Sequence, residues 1–453
     1  MGTHRLFEAL THYDSKEAER IFGNECAINP PDPNVALAPV KRVAIFAEAF
    51  LPKVDGVSKT AYLTLRYLEQ TGRDVIVFAP DIAPSSVSQS DVIALPSLGF
   101  PQAPETRMAL PHPLVVQKLN EFKPDMIHLF SPAVLSVSGM LYGRQNRIPV
   151  IANYQTDLPN YANAYGMPFL HDMVRDWLRY IHNGSHLTLV PTNWTMRKLR
   201  EQGYHRLRKW GRGVNSLRFN PGRRSEAMRA RLLNGRDPNS LLCIYVGRLA
   251  NEKRVDLLLE VARTPGVALT IIGDGMMRAE LEALFEGTGT YFTGYLLGDD
   301  LGDAYASADV FMFTGAFETF GQVVQEALAS GLPSVIINQG GITDLVQDGF
   351  NGFQCPDDPE AFAAAARTLR DNPELREAMA LNAQRVAENH WEYVLQQLET
   401  HYDEAVQING RYQQIFPPIG TRFQQFLARF NQVRKIDEYA QNSRLDRARQ
   451  QER

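Results

Sequence analysis

The sequence predicts an α/β protein: two Rossmann-like, doubly wound domains that face each other across a cleft. Three observations predict it. Short apolar runs that read as buried strands alternate with helix-period segments from residue 43 onward. The alternation restarts after a Pro/Arg/Gly-rich joint, NPGRRSE at 220–226. The length of 453 residues suits two domains of ordinary size with appendages at both ends.

Residues 1–40 read as an N-terminal extension, with a short helix ending near Asn24 and a linker, NPPDPN, at 29–34. VAIFAEAF at 43–50 is the first buried strand and runs into a loop. Asp55 and Gly56 make a turn, and the amphipathic helix that follows ends at Gly72. DVIVFAP (74–80), PDMIHLF (124–130), PVIANYQTD (149–157) and HLTLVPT (186–192) supply further strands of a first domain over 41–214. The second domain, 215–388, draws strands from LLCIYVGRL (241–249), VALTIIGDG (267–275), ADVFMFTG (308–315) and LPSVIINQGG (332–341), with a helix at 321–330. Residues 389–407 form a long helix or a helix pair, and 408–453 is a polar extension with an amphipathic helical stretch at 423–433. Strands interleaved with helices give a parallel sheet covered on both faces. Ligands of such sheets bind beyond the carboxyl ends of the strands, so function is expected at the cleft.

Composition narrows the class. Apolar residues make up 44 % and charged residues 22 %, as in folded globular proteins, and the net charge of −4 speaks against a nucleic-acid partner. Cys26, Cys243 and Cys355 are odd in number and far apart, which disfavours a disulfide framework or a thiolate zinc site and fits a reducing compartment. No apolar run of transmembrane length and no signal-peptide core is visible, so a cytoplasmic location is expected. The chain opens Met-Gly, but Leu6 stands where myristoylation needs Ser or Thr.

The chemistry concentrates in loops after strands. In TGAFETFGQVVQEALASG (314–331), backbone N–H groups around Phe317, Glu318, Thr319, Phe320 and Gly321 would lie near a helix start, where such groups bind oxygens of a sugar or an anion. Glu318 supplies an acceptor for a sugar hydroxyl, and Glu326, two turns into the helix, reaches a second diol such as ribose. The competing reading is a loop glutamate in water and a helix glutamate on the solvent face. In GRLANEK (247–253), Gly247 permits close backbone approach. Arg248 and Lys253 offer the forked guanidinium and flexible ammonium that a diphosphate wants. The alternative is that Arg248 pairs with a neighbouring acid. GDG at 273–275 is only part of a dinucleotide loop, so no NAD site is read. Gly56, at a helix N-terminus, can receive a phosphate oxygen or simply turn the chain. GGITDLVQDG (340–349) either shapes the cleft wall or connects elements.

In the first domain, NYQTDLPNYANAYG (153–166) offers Gln155, Thr156 and Asp157, and Asp157 is placed to orient or deprotonate an acceptor hydroxyl. His128 reads as a satisfied core histidine rather than a catalyst, and His182 with His186 lacks the acid or thiol that would complete a metal site. Residues 175–224 carry twelve Arg/Lys against Asp176 and Glu201, with Trp177, Trp194 and Trp210 interleaved. That suits an anionic membrane surface, a solvated face or a phosphate grip. Arg212, in WGRGVN near the domain junction, is a second candidate for the diphosphate.

Together EAFLPKVDGVSKT, GRLANEKRVDLLLE, IIGDG, YASADVF and GAFETFGQVVQEALASGLP resemble the family-4 retaining glycosyltransferases of GT-B fold, over roughly 41–405. The resemblance implies a nucleotide-sugar donor held mainly by the second domain, no obligatory metal or other cofactor, and a final helix that returns to the first domain. It implies that Glu318 and Glu326 are the E-x7-E pair, on the donor sugar and the ribose, with Arg248 and Lys253 on the diphosphate and Gly56 near the phosphates. NYQTDLPNYANAYG, YIHNGSHLTLVPTN and WGRGVN look like the lipid-directed branch, which includes sulfoquinovosyl-diacylglycerol synthases and actinobacterial glycolipid mannosyltransferases. Two positions depart from it: Gln155 stands where many relatives have histidine, and Asn215 where many have aspartate. The implied activity is retaining transfer of a hexose from a UDP- or GDP-hexose to a membrane lipid such as diacylglycerol or a glycosyl-diacylglycerol, by an enzyme peripheral to the cytoplasmic membrane face. A soluble acceptor and a non-catalytic nucleotide-sugar binder are the alternatives, and paired cationic and acidic loops in one cleft weigh against the binder.

Overall fold

The structure, a computed structural model, describes residues 34–52, 55–100, 103–160, 168–387 and 390–415. The helix expected before Asn24 and the one expected at 423–433 lie outside the described residues.

The first sheet uses β1 (Arg42–Ala47), β2 (Asp74–Pro80), β3 (Ser86–Val87) and β4 (Ser90–Leu95). A separate antiparallel ribbon, β5 (Ser97–Phe100) and β6 (Ala103–Ala109), follows, and β7 (Met126–Phe130), β8 (Val150–Asn153), β9 (Leu187–Val190) and β10 (Leu207–Lys209) complete the sheet. Its order is β10-β9-β8-β7-β1-β2-β4-β3, parallel except for the β3–β4 pair. The second sheet is wholly parallel, in the order β13-β12-β11-β14-β15-β16. Its strands are β11 (Leu241–Val246), β12 (Val267–Ile272), β13 (Tyr291–Gly294), β14 (Val310–Phe313), β15 (Ser334–Ile337) and β16 (Gly352–Cys355). Strand order reverses between β1 and β7 in one sheet and between β11 and β14 in the other. These two reversals are the switch points where doubly wound sheets open a crevice.

Central strands such as LLCIYV in β11 and VFMF in β14 are buried end to end, as parallel strands covered on both faces must be. Strands end earlier than the apolar runs suggest, at Ala47, Asn153, Val246 and Phe313, because the chain leaves the sheet there to form the cleft loops. The sequence pattern missed β3, β4, β5, β6, β10, β13 and β16. Of these, β3, β10, β13 and β16 are short and lie at sheet edges, β5 and β6 form the separate ribbon, and β10 buries only Leu207.

Four helices matter for the site. α1 (Gly56–Gln70) starts on a capping box: Asp55 Oδ1 accepts from the Val57 and Ser58 N–H groups at 3.0 and 2.8 Å, and Ser58 Oγ accepts from the Asp55 N–H at 3.1 Å. α2 (His171–Gly184) follows β8, α3 (Asn193–Glu201) follows β9, and α4 (Gln322–Ala329) follows β14. The last helix, α5 (Trp391–Ile415), is a single helix rather than a pair. Trp391, Val394, Leu395, Leu398, Tyr402 and Ala405 sink one stripe of it into the first domain's core, against β1 and α1.

A buried ion pair fixes that return. Arg73 Nη1 and Nη2 donate to Glu399 Oε1 and Oε2 at 2.9 and 2.6 Å, while the Tyr67 hydroxyl and the Ala38 N–H donate to the same carboxylate at 3.0 and 2.8 Å. Arg73 Nε spends its proton on the Val40 carbonyl at 2.9 Å. Breaking a buried pair from one side leaves an uncompensated charge. Glu399→Ala is therefore expected to destabilise the first domain by roughly 3–5 kcal/mol, whereas the double variant Arg73→Met/Glu399→Leu recovers most of the loss. Denaturant unfolding followed by tryptophan fluorescence measures both, since Trp177, Trp194, Trp210 and Trp391 all belong to this domain or its returning helix.

Glu48 closes the first switch point. Its Oε1 accepts from the N–H groups of Ala133 and Ser136 at 3.0 and 2.9 Å, at the loop after β7, and its Oε2 has no hydrogen-bond partner among the described residues. Burial pushes this carboxyl up to about 7 against the donated N–H bonds that lower it. The folded state thus holds the proton more tightly than the unfolded chain. Its contribution is full below the ordinary carboxylate range and is lost as pH rises through about 7. The stability gap between Glu48→Gln and the natural protein should widen in favour of the variant by about 3 kcal/mol between pH 4.5 and pH 8, read by urea unfolding at each pH.

Candidate active site

The loops after β11 and β14 flank the second switch point and are tied to each other. Thr314 Oγ1 donates to the Lys253 carbonyl at 2.6 Å, and the Tyr245 hydroxyl donates to the Arg248 carbonyl at 3.3 Å. The GDG turn after β12 packs beneath: the Leu249 N–H donates to the Asp274 carbonyl at 2.9 Å. Gly273 has φ +141°, and a Cβ there would strike the Gly247 carbonyl oxygen. This turn is glycine because a second loop crosses it, which explains the fragmentary resemblance to a dinucleotide loop.

Within that frame the predicted cations and acids meet. Lys253 Nζ pairs with Glu318 and also lies 5.7 Å from the Phe313 ring centroid. Arg248 Nη2 reaches Glu252 Oε1 at 2.6 Å. The neighbouring-acid reading of Arg248 is therefore correct as geometry, and Glu252 is the acid. Sequence reasoning passed over Glu252, although an acid four residues after the arginine was the available signal. Glu252 is buried, and its Oε2 has no partner among the described residues.

Glu326 is not on a solvent face. It lies buried on α4, 3.9 Å from Lys59 Nζ of α1; burial first and the Glu326 charge second push up the Tyr305 hydroxyl, which donates to the Val323 carbonyl at 3.2 Å. Lys59 looks in sequence like any polar helix residue, yet it carries a buried charge to the facing domain. α4 begins at Gly321, with φ +89°, where a Cβ would strike Ile342.

The first domain grips the 317–321 loop. The Thr192 and Thr195 hydroxyls lie 3.0 and 3.1 Å from the Thr319 carbonyl, and Thr319 Oγ1 donates to the Gln155 carbonyl at 2.5 Å. Asp344 of the second domain accepts from the Asn193 and Trp194 N–H groups at 2.6 and 3.3 Å, at the N-terminus of α3. The Gln155 side chain is buried at the end of β8, and neither of its amide atoms has a hydrogen-bond partner among the described residues. A polar ligand would satisfy such a group. Gly56 opens α1, three residues before Lys59, and the Val57 and Ser58 N–H groups that follow it are taken by the Asp55 cap.

Other predicted residues are placed differently. Asp157 accepts from the Tyr154 hydroxyl at 3.3 Å, Asn160 Nδ2 at 2.7 Å and Lys198 Nζ at 2.7 Å, so its carboxylate is engaged within its own domain. Arg212 is buried with Nη1 on the carbonyls of Trp210 and Gly211 at 3.3 and 2.8 Å, and burial brings its guanidinium down to about 9. It belongs to the strap between the domains, where Gln325 and Gln322 of α4 donate to the Arg212 and Gly213 carbonyls at 2.9 and 3.0 Å. His128 sits in the core between the Tyr402 hydroxyl (2.9 Å) and Asn153 Oδ1 (3.0 Å), and burial pulls it down to about 4. His182 pairs with Thr188, and His186 accepts from the Val150 N–H. Among the described residues no group of three His, Cys, Asp or Glu is gathered to hold a metal, and no helix is long and apolar enough to cross a membrane.

Comparison with known proteins agrees with this arrangement. The family description "Glycosyltransferase Family 4" matches residues 54–217, and "Glycosyl transferases group 1" matches 229–386. A GDP-mannose-dependent alpha-mannosyltransferase of Mycobacterium tuberculosis is 38 % identical over 375 residues, covering 80 % of this chain and 96 % of that one. The sulfoquinovosyl transferase of Arabidopsis thaliana is 35 % identical over 380 residues, covering 81 % of this chain and 74 % of that one. An alpha-monoglucosyldiacylglycerol synthase of Acholeplasma laidlawii is 26 % identical over 370 residues, covering 76 % of this chain and 92 % of that one. With two doubly wound sheets, an acid–cation cluster at the second switch point and these matches along most of its length, the chain belongs to the family-4 glycosyltransferases and has the GT-B fold.

Proposed function

We propose that the protein transfers a hexose, with retention of the α configuration, from a UDP- or GDP-hexose to a lipid acceptor such as diacylglycerol or a glycosyl-diacylglycerol, at the cytoplasmic membrane face. The observation that carries the reading is the convergence of Arg248, Lys253, Glu318 and buried Glu326 on the two loops and the helix that flank one switch point. Arg248 and Lys253 take the diphosphate, and their charge is worth most as the glycosidic C–O bond breaks and negative charge collects on the leaving oxygen. Glu318 and the backbone of Phe317, Thr319, Phe320 and Gly321 hold the hexose, Glu326 accepts from the ribose diol, and Gly56 with the first turn of α1 meets the phosphates from the facing domain.

The acceptor hydroxyl attacks from the leaving-group face, and the departing diphosphate oxygen takes its proton. No carboxylate then needs to act as nucleophile. Asp157, held by Lys198 and Asn160 in the loop after β8, orients the acceptor hydroxyl. The donor reading leans on the mannosyltransferase relative named for GDP-mannose, and the acceptor reading on the relative named for glucosyldiacylglycerol synthesis.

The test is transfer to diacylglycerol and monoglycosyl-diacylglycerol in mixed micelles, with GDP-mannose, UDP-glucose, UDP-glucuronate and UDP-sulfoquinovose as donors and products read by mass. A glycolipid with one donor supports the reading; transfer only to a soluble sugar overturns its acceptor. Arg248→Ala should lower kcat by about 10²–10³-fold with a small change in donor KM, and an unchanged kcat removes Arg248 from the leaving-group role. Glu326→Gln should raise donor KM by about 10- to 100-fold, the range of one hydrogen bond to a charged group, with kcat much less affected. Donor saturation curves decide it.

A further inference from the structure

α2 is amphipathic in an unusual way. Leu178 and Ile181 point inward, and Leu178 shares a small core with Tyr154, Leu199 of α3 and Tyr204. The opposite side of a surface helix is normally polar. Here Phe169, just before the helix, is 77 % exposed, Met173 62 %, Trp177 41 % and Tyr180 46 %. Steps of four, four and three residues place them on one stripe. Trp177 and Tyr180 stack with ring centroids 6.1 Å apart, and exposed Leu141 stands on the helix against which α2 packs. Single exposed apolar residues are ordinary; a stripe of four large ones is not.

The charges around the stripe select what covers it. Asp172 and Asp176 are neutralised by Arg175 at 2.7 and 3.1 Å, and Arg179 lies 3.2 Å from Asp176. Residues 175–209 carry eight Arg/Lys against Asp176 and Glu201, in a chain whose net charge is −4. The segment's cations and tryptophans do not gather into one patch, the first of the three readings its sequence leaves open. Trp210 is buried and donates to the Val394 carbonyl, Arg208 pairs with Glu404, Arg206 donates to the Asn183 and Ser185 carbonyls, and Lys198 holds Asp157. Arg197 on α3 lies 4.0 Å from Asp344, and the exposed Arg200 and Lys209 make no ion pair among the described residues. An exposed apolar stripe with Trp and Tyr, in a segment of net positive charge whose exposed Arg200 and Lys209 make no ion pair among the described residues, is complementary to an anionic bilayer surface.

We infer that the Phe169–Met173–Trp177–Tyr180 stripe is the face by which the protein docks on an anionic bilayer. The stripe borders the first domain's switch point: Trp177 Nε1 donates to the Ala133 carbonyl at 2.9 Å, and the Ala133 N–H binds Glu48. Docking there sets the rim of the first domain's crevice against the lipid surface, so an acceptor headgroup enters without its chains leaving the bilayer. This last step rests on the lipid-acceptor reading; the docking face does not.

The experiment is sedimentation with vesicles of phosphatidylcholine alone and with added phosphatidylglycerol, comparing the full-length protein with Phe169→Ser/Met173→Ser. Unchanged thermal unfolding shows that the variant is folded. The natural protein should bind the anionic vesicles and lose binding in high salt, and the variant should bind at least about tenfold more weakly. Arg200→Glu should weaken binding to the anionic vesicles alone. Equal binding by the double variant overturns the proposal, as does a natural protein that ignores both vesicles or forms a dimer that the double substitution dissolves. Transfer to acceptor in detergent micelles separates the two readings. Lost vesicle binding with no micellar transfer by either protein leaves the docking face standing and removes the lipid acceptor. Micellar transfer together with unaltered vesicle binding by the variant does the reverse.

Discussion

The bidentate pair between Arg73 and Glu399 is the contact on which the two-domain arrangement depends. It ties the last helix, whose sequence follows the second domain, into the core of the first. All its partners are internal: Tyr67 and Ala38 complete the carboxylate, while Val40 and Thr71 serve the guanidinium. The chain thus crosses between domains twice, once near 210–220 and once before α5. The crossings touch, because Trp210 donates to the Val394 carbonyl at 2.7 Å. The strap beside Trp210 is held in turn by Gln322 and Gln325, on the same helix as Glu326. A shift at the hinge therefore reaches the helix that carries Glu326 through three direct contacts rather than through a long network.

The second constraint is electrostatic. A cation waiting at a cleft is costly to bury and loosely held when exposed. The site solves this by giving each cation a carboxylate of its own domain: Glu252 for Arg248 and Glu318 for Lys253. The pairs fix the direction of the donors before any substrate arrives, which is what a transition state with growing phosphate charge requires. On the proposed donor reading, a diphosphate would compete for these cations by bringing more charge and several acceptor oxygens to the donors at once. Lys59 and Glu326 follow the same logic across the cleft, with both side chains nearly excluded from water.

Much of this was legible in the sequence. Central strands are continuous apolar runs because both of their faces are covered, and runs such as LLCIYV and VFMF cannot be read otherwise once helices alternate with them. The loops after β11 and β14 were legible because Arg248, Lys253 and Glu318 stand in turns where charge has no packing role. What escaped reading depends on partners distant in sequence. Lys59 gains meaning only when α4 faces α1, and the hydroxyls of Thr192 and Thr195 only when the Thr319 carbonyl arrives between them. The basic segment misled for the same reason: composition counts charges, while the fold sends Arg206, Arg208 and Lys198 to different partners and leaves the apolar stripe of α2 outside.

The two positions that the family resemblance marks as departures, Gln155 and Asn215, are not equivalent in the structure. Asn215 is absorbed by the fold: its Oδ1 accepts from the Leu217 and Arg218 N–H groups at 3.0 and 3.3 Å, a turn that aspartate would make equally well. Gln155 is not absorbed. The fold uses its backbone carbonyl to hold Thr319 and buries its side chain, yet it offers the amide no partner among the described residues. A buried amide without partners costs free energy that any bound polar group would recover. An imidazole offers one donor and one acceptor; an amide offers two donors and an acceptor, without charge. Glutamine at 155 therefore bears on what a ligand must present, whereas asparagine at 215 serves only to close a turn.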